Sequence, residues 1–165
     1  MLSVEFLSEL DTRCLHHPPA WANPDRAFQL LSPFKVRIGQ FEVVEIPAGF
    51  ISDFASIPPI MRSFISPTHV KISRPAWLHD FAYATNYRDS RRISDDLIMC
   101  GMMVEGASRV LREVVYAGVR IGGWVAWDRY RRRSWLELQK SLGGLHPPRL
   151  NITVAGWRRN MDGLS

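Results

Sequence analysis

The sequence is short of cysteine and lysine and has no long uncharged apolar run. Only Cys14 and Cys100 occur. Cys14 stands among polar and Pro-rich residues and Cys100 inside an apolar stretch, so the pair reads as free thiols of a reducing compartment. Neither CxxC nor a Cys/His zinc spacing is present. A membrane-spanning helix needs roughly 18 consecutive apolar residues. The best stretch, Val114 to Trp127, is interrupted by Arg120, so no transmembrane segment is expected. The opening Met1-Leu2-Ser3-Val4-Glu5 has neither the basic nor the apolar part of a secretory signal. No internal repeat and no domain-dividing linker is evident.

What is present can build one core. Apolar residues make up 46% of the 165 and charged residues 22%, which excludes wholesale disorder. The net charge of +5 is unevenly placed: residues 1–87 hold 7 basic and 8 acidic side chains, residues 88–165 hold 14 and 8. Nearly all the basic residues are Arg, whose planar fork pairs with carboxylates and phosphates through two bonds at once. A basic half suggests an anionic membrane surface, an acidic protein or a nucleic acid; the plainer alternative is a solvated helix face with Arg in ion pairs.

The chain divides into an irregular lead-in over 1–26, a single α+β domain over 27–141 and a basic Gly/Pro-containing tail over 142–165. Residues 27–33 suggest a first short strand. Phe34-Lys35-Val36-Arg37-Ile38 alternates with period two, Gly39-Gln40 makes a turn, and Phe41–Ile46 returns, giving a small antiparallel sheet. The apolar segment Pro47–Pro59 is punctuated by Pro and Gly and is expected to pack under other elements. A bundle of about three helices follows. The first begins near Pro75 with Ser73 as cap. The second covers 91–105, capped by Ser90, with Ile93, Leu97, Ile98, Met102 and Met103 inward. The third runs from about Ser108 with Val110, Val114, Ala117 and Ile121 at core spacing.

The chemistry-bearing constellation is His79-Asp80-Phe81-Ala82-Tyr83 with Asp95 on the next helix. His79 and Tyr83 share a face one turn apart, with Asp80 about 100° away. An antiparallel second helix brings Asp95 back to His79, and a His oriented by a carboxylate is a general base for water. Tyr83 would fix Asp95, and Asp80 could hold a hard divalent cation with backbone carbonyls. The plainer reading makes His79 a half-buried helix residue and Asp80 a surface ion-pair partner. Asp53 either joins Asp80 at the metal or staples its loop by accepting the N–H groups of Ala55 and Ser56. His16, His17, His69 and His146 lack partners at ligand spacing. Arg129 to Arg133, with Trp124, Trp127 and Trp135, mixes cations and rings as interfacial helices and nucleic-acid grooves do; otherwise the Trp residues are core.

Two resemblances rest on these residues. Gly49-Phe50-x-x-Asp53-Phe54-Ala55-Ser56-Ile57-Pro58, His79-Asp80-x-x-Tyr83 and Ser94-Asp95 together resemble a family of phage and prophage proteins known only as domain of unknown function 1353, over about residues 28–127. Ser94 stands where that family usually has Ala. His79-Asp80-Phe81-x-Tyr83-x-x-Asn86-Tyr87 with Arg91-x-x-x-Asp95 is also similar, over about 20 residues, to the paired catalytic helices of bacterial secreted phospholipases A2. That likeness implies His79 as base, Asp80 as calcium ligand, Asp95 as the carboxylate that orients His79, and Tyr83 as its support. The Gly-rich calcium loop and the flanking cysteines of that family have no counterpart here.

The expectation is therefore a phage-encoded hydrolase of host-envelope ester or amide substrates, phospholipid being the most concrete. His79, Asp95 and Tyr83 would be catalytic, and a divalent cation, calcium above others, would sit on Asp80 and Asp53. The rival is a non-catalytic virion part (tail or connector) or a host-factor-binding phage protein, made in the host cytoplasm and in the first case built into the particle. Its partners would be other virion subunits or an anionic membrane surface, with nucleic acid less favoured. An enzyme should open the cluster to a cleft; a structural part should bury it.

Overall fold

The computed structural model describes residues 2–20, 22, 27–54 and 70–132. Six strands precede three helices, an α+β arrangement: β1 (Val4–Phe6), β2 (Thr12–Cys14), β3 (Phe28–Leu30), β4 (Phe34–Ile38), β5 (Glu42–Ile46), β6 (Ile51–Ser52), α1 (Val70–Ala84), α2 (Arg91–Val104) and α3 (Arg109–Arg132). A 3-10 turn over Tyr87–Asp89 joins α1 to α2.

The alternation in β4 does what its period dictates. Phe34, Val36 and Ile38 point into the core and Lys35 points out. The register sets Val36 opposite Val44 and Phe34 opposite Ile46, so core side chains meet across the ladder. Gly39, at φ +66°, supplies the left-handed residue that turns β4 into β5. On the other edge β1 pairs antiparallel with β4, and Glu5 meets Arg37 as partner and counter-ion. A second antiparallel sheet runs β2-β3-β6.

The strands thus form two three-stranded sheets where one was expected, and the lead-in read as irregular contributes a strand to each. Three-residue strands are too short to show a period. They form because a neighbour's unpaired edge accepts them.

Helix α1, Val70–Ala84, includes residues ahead of the expected start and carries Pro75 inside it. A proline there removes one N–H, and packing compensates. Pro75 is buried against Gly101 of α2, where an added Cβ would lie 3.0 Å from the Pro75 ring. From Pro75 to Ala84 every residue of α1 is buried, so this is a central helix covered on all faces. It ends where Asn86 takes a left-handed conformation at φ 55°. Ser90 then caps α2 as expected, accepting the Ile93 N–H at 3.2 Å. Gly106, at φ +66°, follows the end of α2. Met103, expected inward, is exposed.

The third helix corrects the sequence reading. Val110, Val114, Ala117 and Ile121 face solvent, Val110 and Ile121 being 74% and 76% exposed. The residues that meet the core are Val115, Val119, Ala126 and Tyr130. Helix α3 is apolar on two opposite faces, and periodicity cannot say which of them the tertiary structure takes. Its close approach to α1 is made at Gly123, where a Cβ would stand 2.5 Å from the Tyr83 hydroxyl. Gly123→Ala is therefore expected to destabilise the fold by about 1–3 kcal/mol. A lowered urea midpoint with unchanged slope would show it, and a wild-type midpoint would contradict the packing.

Candidate functional site

Helices α1 and α2 are joined by a tight turn and lie antiparallel, which brings Asp95 to the His79 face of α1. His79 Nε2 donates to Asp95 Oδ1 at 3.0 Å. The Tyr83 hydroxyl donates to the same oxygen at 2.5 Å. The expected trio therefore meets as the spacing requires, with the His79 and Tyr83 rings 4.1 Å apart.

The other oxygen of Asp95 is taken from α3. Arg120 Nη1 donates to Asp95 Oδ2 at 2.7 Å, and Arg91 lies 3.6 Å from it. Arg91 also donates to the Arg120 carbonyl at 3.1 Å, tying the start of α2 to the middle of α3. One carboxylate thus holds all three helices. Neither arginine stood among the expected site residues. The signals were available: Arg91 is one helical turn before Asp95, and Arg120 is the lone charge in an apolar stretch, where a cation needs an anion.

Asp80, on the flank of α1, faces the end of the second sheet. The Ser52 hydroxyl donates to Asp80 Oδ2, and the Phe54 N–H donates to Ser52 Oγ at 3.4 Å. Phe54 itself holds φ 50°, a left-handed conformation that a non-glycine residue adopts only under constraint from its surroundings. Asp53 is buried next to Ser52 in the chain. Ser52, after the two arginines, is the third participant missing from the sequence expectation. Ser56 and the rest of the motif after Phe54, with His69, Trp135 and His146, lie outside the described residues. Among the described residues no three His, Cys, Asp or Glu side chains gather where a metal could be held.

Solvent access is where the expected active site and the structure part. His79 and Asp95 are 0% exposed, Asp80 and Asp53 1%. A cavity of about 300 Å³ lies elsewhere, lined by residues that include Phe28, Phe54, Arg74 and Trp77. Of the network, only the two arginines reach the surface, Arg120 being about a third exposed.

Protonation follows from this geometry. Burial alone would lower the His79 pKa, but the carboxylates of Asp80 and Asp95 outweigh it and the net shift is upward from 6.5. Burial would raise the Asp95 carboxyl, but His79, Tyr83 and Arg120 hold it below its ordinary 3.8. Burial and the Asp95 charge push the Tyr83 phenol up, so it stays a donor. The ring lies between two carboxylates that favour its protonated form: Nε2–H bonds Asp95, and Nδ1 lies 3.7 Å from Asp80 Oδ1, near enough for charge attraction but too far for a hydrogen bond.

The family model described as "Protein of unknown function (DUF1353)" matches residues 28–119. The chain belongs to the DUF1353 family. No curated protein and no solved structure matches it. In this DUF1353 chain the matched region holds Ser52, His79, Asp80, Tyr83, Arg91 and Asp95, while Arg120 stands one residue past it.

Asp95→Asn should destabilise the protein by about 3 kcal/mol, because it leaves the buried His79 and the half-buried Arg91 and Arg120 without their shared carboxylate. The pH dependence has a defined sign. The His79 contribution is complete below pH 6.5 and fades as pH rises through its elevated folded value; that of Asp95 is complete above 3.8 and fades as pH falls through its depressed one. Wild-type stability should therefore peak between these values and decline toward alkaline pH, and His79→Gln should flatten the alkaline decline. Urea unfolding across pH checks both; an alkaline slope equal in wild type and variant would refute the assignment to His79.

Proposed function

We propose that this protein acts by binding and not by catalysis, as a non-catalytic component of a phage particle or of its assembly. In this reading the His79–Asp95 network locks the three helices into one arrangement. The observation that carries it is the complete burial of His79, Asp80 and Asp95 together with a raised His79 pKa. A sealed ring is out of a substrate's reach, and a raised pKa favours the form that has no lone pair with which to take a proton. The phage setting comes from the motif resemblance. The basic excess beyond residue 88 supports anionic partners, whether other virion subunits or a membrane surface; no nucleic-acid motif accompanies it.

One observation favours the second reading, a hydrolase. His79 Nδ1 is a buried nitrogen with no hydrogen-bond partner, while Nε2 is held by a carboxylate that a tyrosine supports. That is the arrangement in which Nδ1 activates water and Asp80, with Asp53, holds calcium. It requires the ring to be reached by solvent and to give up its proton.

Two measurements separate the readings. Wild-type protein with calcium and phosphatidylglycerol, or with an aryl ester, is expected to show no turnover, and His79→Gln is expected to lower the melting temperature. Turnover by wild type that His79→Gln abolishes without loss of stability would establish the hydrolase instead.

A further inference from the structure

Helix α3 presents a second apolar face that the fold does not use. Val110, Val114, Ala117, Ile121 and Trp124 recur at alternating spacings of four and three, which places them in one row along the helix, with Val125 beside them. All six are exposed, Trp124 by 61%. The core-facing Val115, Val119, Ala126 and Tyr130 lie on the opposite side. From Val110 to Val125 the row runs about 22 Å. Water is a poor covering for it: scattered exposed apolar residues are ordinary, but a continuous row at helical spacing marks a contact surface.

Charge says what covers it. Through residue 108 the sequence holds 10 basic and 12 acidic side chains, net −2. From Arg109 onward it holds 11 and 4, net +7. The helix with the unused apolar face thus opens the part of the chain that carries the whole positive excess. A second copy would set two such helices side by side, each with 6 basic and 2 acidic residues over 109–132. A nucleic acid would answer the charge but has no counterpart for Val110, Val114 and Ile121. An anionic lipid bilayer answers both: hydrocarbon for the aliphatic row, headgroup charge for the arginines, and an interfacial level suited to Trp124.

We propose that α3 lies along an anionic phospholipid bilayer through its Val110–Trp124 face, without crossing it. Among the described residues no helix is long and apolar enough to span a membrane. The proposal rests on the binding reading given above and names the partner of that reading.

The test uses the full chain with vesicles of phosphatidylglycerol and phosphatidylcholine in equal parts, and with vesicles of phosphatidylcholine alone. Wild type should sediment with the anionic vesicles and not with the neutral ones, with a blue shift of tryptophan emission. Ile121→Asp should weaken that binding at least about tenfold, since it sets a charge against hydrocarbon. Ile121 is exposed, so the variant should melt with wild type, and circular dichroism verifies this. Trp124→Phe should keep most of the binding while losing most of the blue shift. Absence of sedimentation, equal binding to neutral vesicles, or unchanged binding by Ile121→Asp would overturn the proposal. So would a dimer in light scattering that Ile121→Asp dissolves, or an oligonucleotide that binds wild type and Ile121→Asp alike and displaces the vesicles. Any of these failures would leave the pH and stability behaviour of His79 untouched, so it is distinguishable from failure of the site reading.

Discussion

The structure depends on one carboxylate. Asp95 receives His79 and Tyr83 from α1 on one oxygen and Arg120 from α3 on the other, while it stands on α2 itself. A buried anion is tolerated only when its charge and its lone pairs are answered. Here they are answered from two neighbouring helices, so satisfying the anion fixes how all three helices pack. Leu97 and Ile98 of α2 share one buried apolar core with α1, but apolar contacts accept sliding and rotation more readily than a directional bond does. Gly123 belongs to the same constraint: only a residue without a Cβ lets α3 come close enough to Tyr83.

Charge arithmetic then decides the chemical character of the site. Two carboxylates flank one imidazole and favour its protonated form, with Arg120 and Arg91 as the other cations beside Asp95. The arrangement resembles a catalytic His–Asp–Tyr set in its bonds, while its ring is sealed from solvent. Bond geometry alone does not make a general base; a free lone pair and a reachable substrate are also required.

Much of this was legible in the sequence. The spacing of His79, Tyr83 and Asp95 gave their meeting, because a tight turn between two short helices leaves little other choice. The alternation in 34–38 gave β4 and its core face. Burial of the site was harder to see, although the run from Pro75 to Ala84 is apolar on every side of the helix apart from His79 and Asp80, which is how a central helix reads. The face of α3 was misassigned because Val110–Val114–Ala117–Ile121 and Val115–Val119–Ala126 are equally periodic, and only the placement of Arg120 against Asp95 breaks the tie. Ser52 could not be linked to Asp80 from sequence, since their contact depends on how the second sheet docks on α1. Strands β1, β2 and β6 were invisible for the same reason: their structure is supplied by their neighbours.

The central claim is the charge state of one buried ring, and nitrogen NMR of His79 reads it directly. Both ring nitrogens should show the protonated imidazolium shift at neutral pH, with an Nε2 proton that exchanges slowly and a titration that begins only above the ordinary histidine range. A neutral ring at pH 7 with a bare Nδ1, or a titration near 6.5 with fast exchange, would contradict the account and return the site to the water-activating class.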